Sequence, residues 1–235
     1  MISKTNSSNP IRLVVLSAGV SDPSTTRMLA ERVLQTAMDR IRATGEEVSA
    51  AFIDLASLAP EIGRSIVSTD PTAAVQRAIE QVGAADGLIV ATPVYKAGIS
   101  GLFKSFIDLL DGDLIVAKPV ILAATAGTAR HAMVVDEQMR PLFAFMRAMP
   151  VPTSLFAAPE DWADAALSKR IDRAAIEFAE LVRVRIGDAI ADAAWKGYQH
   201  QFNGNATRAE KSADDLDFDT DLMRLATGQR QPLHG

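Results

Sequence analysis

Residues 91–111 read ATPVYKAGISGLFKSFIDLLD, and their reading decides how the rest of the chain is arranged. The run GLIVAT, residues 87–92, is short and apolar, the pattern of a buried strand. Pro93 fixes its own φ and removes a ladder donor, so a loop takes over from Thr92 to Gly101. Gly101 to Leu110 then places Leu102, Phe103, Phe106, Leu109 and Leu110 on one helical stripe. A strand apolar on both faces that leads into a helix is half of a parallel βαβ unit. The connecting loop is aromatic and basic at Tyr95 and Lys96, yet small at Ala97, Gly98 and Gly101. Such a loop lets the backbone approach a flat ligand closely.

Working outward, IRLVVLS at 11–17 is a first strand. A helix follows from Ser24 or Thr25 to about Thr44, with Met28, Leu29, Val33, Leu34, Met38 and Ile41 on one stripe and Gly45 as its stop. EVSAAFIDL is a second strand, and after Pro60, Gly63 and Pro71 a helix is expected near 72–83. Downstream, KPVILAAT is a fourth strand, 136–146 a helix, VPTSLFAA a fifth strand and 165–190 one long helix. Five strand–helix alternations predict an α/β domain with a doubly wound, five-stranded parallel sheet in the order 2-1-3-4-5. Ligands of such sheets bind beyond the carboxyl ends of the strands, in the crevice between strands one and three. The loop 92–101 lies at that edge.

The 235 residues suffice for one such domain with an appendage, and 48% hydrophobic content with 6% aromatics describes an aliphatic core. A net charge of −5 argues against a general nucleic-acid or membrane-surface role. The absence of cysteine excludes disulfides, thiolate catalysis and Cys-ligated metal centres, and three histidines make a histidine-rich metal site improbable. The N-terminus lacks the apolar region of a signal peptide, so a cytoplasmic protein is expected. The expected divisions are an N-terminal tail at 1–10, the α/β domain at 11–186 and a polar extension at 187–235. The extension carries Asp214, Asp215, Asp217, Asp219 and Asp221, without the Gly and Glu placement of a calcium loop.

Two further loops share the ligand edge. SAGVSDPSTTR, Ser17 to Arg27, sets five hydroxyls and an Asp-Pro turn before a helix start. Unpaired N–H groups and the partial positive charge at a helix N-terminus stabilise an anion, to which Ser17, Ser24, Thr25 and Thr26 add donors. A plain N-cap at Ser24 or Thr25 explains the same pattern equally well on its own. The glycines of a dinucleotide or nucleoside triphosphate loop are absent, so a single terminal phosphate suits the stretch better than a pyrophosphate. ATAGTARHAM, Ala124 to Met133, offers amides and hydroxyls at Thr125, Gly127 and Thr128, with Arg130 and His131 at the mouth. A phosphate cradle, a ring platform and an amide-rich wall suit flavin mononucleotide (FMN), whose ring does chemistry that this chain's own side chains do not offer.

These stretches, with AATAGTARHAMVVDEQMRPLFAFMRA, make the chain resemble the NAD(P)H-dependent FMN reductases of the flavodoxin-like superfamily. The likeness covers about residues 11–186 and is nearest to the subgroup that partners luciferase-like flavin monooxygenases. It implies that Ser17, Ser24, Thr25 and Thr26 hold the FMN phosphate. It implies that Pro93, Val94, Tyr95 and Lys96 contact the isoalloxazine and ribityl chain. Thr125, Ala126, Gly127 and Thr128 would line the pyrimidine side, with His131 nearby. Hydride would pass from NADH or NADPH to flavin N5, and reduced FMN would go to a two-component monooxygenase. A homodimer or homotetramer is implied, with the helix opening at Ser100–Gly101 in the subunit interface. Ile99 departs from the family pattern, standing where many relatives carry an aromatic residue. Two other readings share the loops: a quinone, azo or metal reductase that retains FMN, and a flavodoxin-like electron carrier. Carriers wrap the ring in bulky aromatics, and here Tyr95 stands alone.

Overall fold

The computed structural model describes residues 9–68 and 70–194; the five aspartates of the acidic cluster, His200 and His234 fall outside the described residues. Strands β1 (Ile11–Ser17), β2 (Val48–Asp54) and β3 (Gly87–Tyr95) are joined by the two-residue β4 (Gly98–Ile99) and by β5 (Pro119–Thr125). Two short segments, β6 (Met149–Pro150) and β7 (Leu155–Ala157), complete the sheet. The parallel order is β2-β1-β3-β5, and both β6 and β7 pair in parallel with β5. The doubly wound order expected from the sequence is therefore present; of the expected fifth strand at 151–158 only β7 forms, β6 lies just before that stretch, and β4 adds an antiparallel partner to β3.

The interruption has a local cause. Pro150 and Pro152 carry no N–H, so they cannot donate to a ladder. The guanidinium of Arg140 spans the gap instead, donating to the carbonyls of Val151 and Pro152 at 3.1 and 3.2 Å and to Ser154 Oγ at 2.7 Å.

Alternating side chains supply two cores. Leu13 and Val15 of β1, with Ile89 and Ala91 of β3 and Ile121 and Ala123 of β5, meet helices α1 (Thr25–Ala43) and α6 (Ala165–Arg183). Val14 and Leu16, Leu88 and Val90, and Val120 and Leu122 face the other layer. That layer holds α2 (Ala59–Ile66), α3 (Ala73–Ala84), α4 (Gly101–Ile107) and α5 (Arg140–Phe145). Phe103 of α4 and Phe143 of α5 meet there with ring centroids 6.4 Å apart. Gly87 opens β3 with no side chain because Phe178 and Val182 of α6 fill that space.

Three helical expectations are corrected. The helix at 165–190 is broken: α6 ends at Arg183 and α7 (Ile186–Ala194) follows. Arg185 turns the chain at φ 48° and is drawn to Asp86 at 3.2 Å and to the Asn9 carbonyl at 2.9 Å. Gly187 then packs on Ala117, where a Cβ would lie 2.9 Å from the carbonyl oxygen. The helix at 136–146 begins one residue earlier, as a π-helical turn, Val135–Met139, before α5. Pro141 explains the widening, because its ring crowds the carbonyl four residues back and has no N–H to give it. Helix α2 was not foreseen, since Pro60 and Gly63 read as loop; Pro60 sits in the first turn, where proline is tolerated.

At the amino ends of the strands Lys118 is buried, its ammonium donating to the carbonyls of Gly83 and Ala85 at 2.8 and 2.6 Å. It thereby satisfies carbonyls at the end of α3, where a cation is favoured. Among the described residues no helix is long and apolar enough to cross a membrane.

Candidate functional site

Strand register brings the loops to one edge. Ser17, the last residue of β1, pairs with Ala91, so Thr92 to Tyr95 project beyond it. Thr125, the last residue of β5, pairs with Pro93. The chain leaving β1 is therefore flanked by the tip of β3, with the end of β5 beyond. Thr26 and Thr125 join the first and last of these segments by a hydrogen bond of 2.7 Å between their hydroxyls, both side chains being buried. Replacing Thr26 by Val leaves the Thr125 hydroxyl buried without this partner, and a loss of about 1–3 kcal/mol is expected. Urea unfolding checks this; the double replacement Thr26→Val with Thr125→Val should recover much of the loss.

Ser24 caps α1, its side chain accepting from the Arg27 N–H at 3.2 Å. The capping reading of this serine is thus correct, and it leaves the phosphate reading open, because the N–H groups of Thr25 and Thr26 form no hydrogen bond among the described residues. The first turn of α1 holds no acidic residue to compete with an anion. Gly19 presses on this cap so closely that an added Cβ would overlap Ser24 Oγ. Ser17 is buried at the base of the loop and Thr25 is exposed. Arg27 is turned away: it pairs with Glu31 at 2.8 Å and Asp54 at 3.4 Å and lies over the Phe52 ring.

The tip of β3 folds back as a tight hairpin. Val94 pairs with Ile99 and Tyr95 with Gly98, leaving Lys96 and Ala97 as the two turn residues. Their φ angles of 50° and 63° give the doubly left-handed turn that matches strand twist but suits Asn-Gly better than Lys-Ala. The base is pinned by Thr92 Oγ1, which accepts from the Ser100 N–H at 3.1 Å, while Ser100 caps α4. Pro93 is buried, Val94 half-buried, and Tyr95 and Lys96 exposed. The tip is held by Gln138, whose Oε1 accepts from the Ile99 N–H and whose Nε2 donates to the Ala97 carbonyl, each at 3.1 Å.

Beyond β5, Ala126 is half-buried and bonds through its N–H to the Ala157 carbonyl at 3.2 Å. Gly127 and Thr128 are exposed, and their N–H groups are unpaired among the described residues. His131 closes a 3-10 turn, Ala129–His131, and is half-buried. The edge thus offers unpaired amides at two loops and a projecting hairpin with a single aromatic side chain. Those donors fit a singly phosphorylated ligand with a flat, amide-bearing ring. Sequence reading missed Gln138, which lay within a helical pattern, and the Thr92–Ser100 pin, whose residues are ordinary strand-end and cap types.

The sequence profile described as NADPH-dependent FMN reductase matches residues 11–163, which span β1 through β7 and all three loops. The chain belongs to this family. It is an NAD(P)H:FMN oxidoreductase, using FMN and a reduced nicotinamide. Among similar proteins, the NADH-dependent FMN reductase SfnE of Pseudomonas putida is 38% identical over 173 residues, 72% of this chain and 90% of that protein. FMN reductase (NADPH) of Pseudomonas aeruginosa is 33% identical over 66% of this chain and 80% of its own length. An oxidoreductase from Corynebacterium diphtheriae has a solved structure with a TM-score of 0.72 and 43% identity, covering 74% of this chain and 97% of that one. The flavodoxin-like fold of this reductase is thereby placed.

Proposed function

We propose that the three convergent loops form the FMN site, and that the reductase releases reduced FMN to a two-component flavin monooxygenase. In this reading the first turn of α1, with Ser17, Ser24, Thr25 and Thr26, holds the phosphate. Pro93, Val94, Tyr95 and Lys96 lie against the ring and ribityl chain, and Thr125, Ala126, Gly127, Thr128 and His131 border the pyrimidine side. Bound FMN supplies the hydride acceptor. The chain contributes orientation: Ala97, Gly98 and Ala126 leave room for a nicotinamide to approach one ring face. The observation that carries the reading is the Thr26–Thr125 bond, which fastens the segments bordering the site across 99 positions of sequence.

Release rather than retention is supported by the hairpin, where the only aromatic, Tyr95, is 49% exposed. The same reading takes 11–186 as the catalytic domain and 187–235 as an extension. It assigns a homodimer or homotetramer meeting near α4, and a cytoplasmic location where reduced nicotinamide is available.

Titration of the purified protein with FMN, followed by turnover with NADH and with NADPH, tests the function. Saturable dependence on added FMN is expected. Turnover no faster than free flavin with nicotinamide would reject the reductase reading, whereas yellow protein with FMN retained through gel filtration would favour a quinone, azo or metal reductase.

A further inference from the structure

Gln138 lies outside every loop that the sequence points to, yet it touches the hairpin twice. Its amide bonds both to the carbonyl of Ala97, inside the turn, and to the N–H of Ile99, just after it. One planar group thus closes both sides of the connection. The contact is also sterically set, since a Cβ on Gly98 would lie 3.2 Å from Gln138 Oε1. The turn needs such support: two consecutive non-glycine residues, Lys96 and Ala97, hold left-handed φ. L-residues disfavour that region, and neither Lys96 nor Ala97 has the short polar side chain that eases it in Asn or Asp. The π-helical turn that carries Gln138 is anchored in turn by the buried Val135 and Met139 on either side. A rigid core element therefore reaches across to a loop whose own sequence opposes its shape.

We propose that Gln138 is a positioning residue for FMN: it holds the Lys96–Ala97 turn in place, and through it the edge formed by Tyr95 and Lys96. This rests on the assignment of the hairpin to the flavin site. Gln138 itself need touch neither FMN nor nicotinamide.

The test compares Gln138→Leu, Ala97→Gly, their combination, and Tyr95→Ala. Gln138→Leu keeps side-chain size and removes both hydrogen bonds. It is expected to raise the KM for FMN by about tenfold while kcat at saturating FMN stays within about twofold, the signature of lost binding without lost chemistry. In the FMN-free protein, the Ile99 amide should exchange with solvent at least about tenfold faster, since its acceptor is gone. Adding Ala97→Gly supplies the left-handed turn without help, so the double variant should return the KM to within about threefold of Ala97→Gly alone. A merely structural glutamine would give no such specific rescue. An unchanged KM in Gln138→Leu, with Tyr95→Ala raising it, overturns the role of Gln138 and leaves the site assignment standing. An unchanged KM in both variants removes the site assignment as well. A raised KM that Ala97→Gly does not rescue overturns the route through the turn.

Discussion

Gly19→Ala is expected, on the proposed phosphate site, to raise the KM for FMN by about 10- to 150-fold, the range given by losing one charge-assisted hydrogen bond of about 1.5–3 kcal/mol. The added methyl would overlap Ser24 Oγ and come within 3.1 Å of Thr26 Cβ. The serine must then leave its position, and with it goes the bond to the Arg27 N–H that shapes the start of α1. An anion seated on that first turn loses a hydroxyl donor and meets amides that have shifted. Loss of the cap alone costs about 1 kcal/mol of stability, so the fold survives and the effect is read in ligand affinity. Steady-state kinetics with FMN varied, and quenching of flavin fluorescence on binding, measure it. Equal affinities in Gly19→Ala and the parent protein would move the phosphate away from this loop.

Phe178→Ala should cost about 3–5 kcal/mol of folding stability, the range for truncating a fully buried phenylalanine. The ring is fully buried in α6 and stands over the start of β3, taking the space that Gly87 leaves. The reciprocal change, Gly87→Ala, drives a Cβ to within 2.5 Å of Phe178 Cζ and 2.7 Å of Val182 Cγ1. Overpacking of this kind costs about 1–3 kcal/mol. Because the two sites share one volume, Gly87→Ala combined with Phe178→Leu should be less destabilised than the sum of the single variants. Chemical denaturation of the four proteins gives the coupling; strict additivity would show that α6 can shift away from the strand at little cost.

Much of the architecture was legible because its signals are local and repeated. The apolar runs at 11–17, 87–92 and 119–125 are too short for buried helices and end at turn residues, so they read as buried strands, and the helical stripes between them set the alternation. That the loops after the first, third and fourth strands share one edge followed from topology. What escaped reading depends on partners distant in sequence. The break after Arg183 answers to Asp86 and Asn9, and the closeness of Gly187 to Ala117 is a fact of packing that periodicity does not record. Gln138 escaped for the same reason, since a polar residue in a helical stretch reads as solvent-facing until the hairpin is laid against it. Arg27 shows the converse: it closes the hydroxyl-rich stretch Ser17–Arg27 in sequence, yet Glu31 and Asp54 draw it away from that loop in space.

The gap between β6 and β7 reaches beyond the geometry of one strand. A sheet margin with a continuous row of free donors and acceptors is a template on which another chain can add a strand. Here two prolines withhold donors and an arginine side chain occupies the carbonyls of Val151 and Pro152, so between β6 and β7 the margin offers no regular row for a second chain. Open-ended strand addition along this stretch of the sheet is thereby disfavoured.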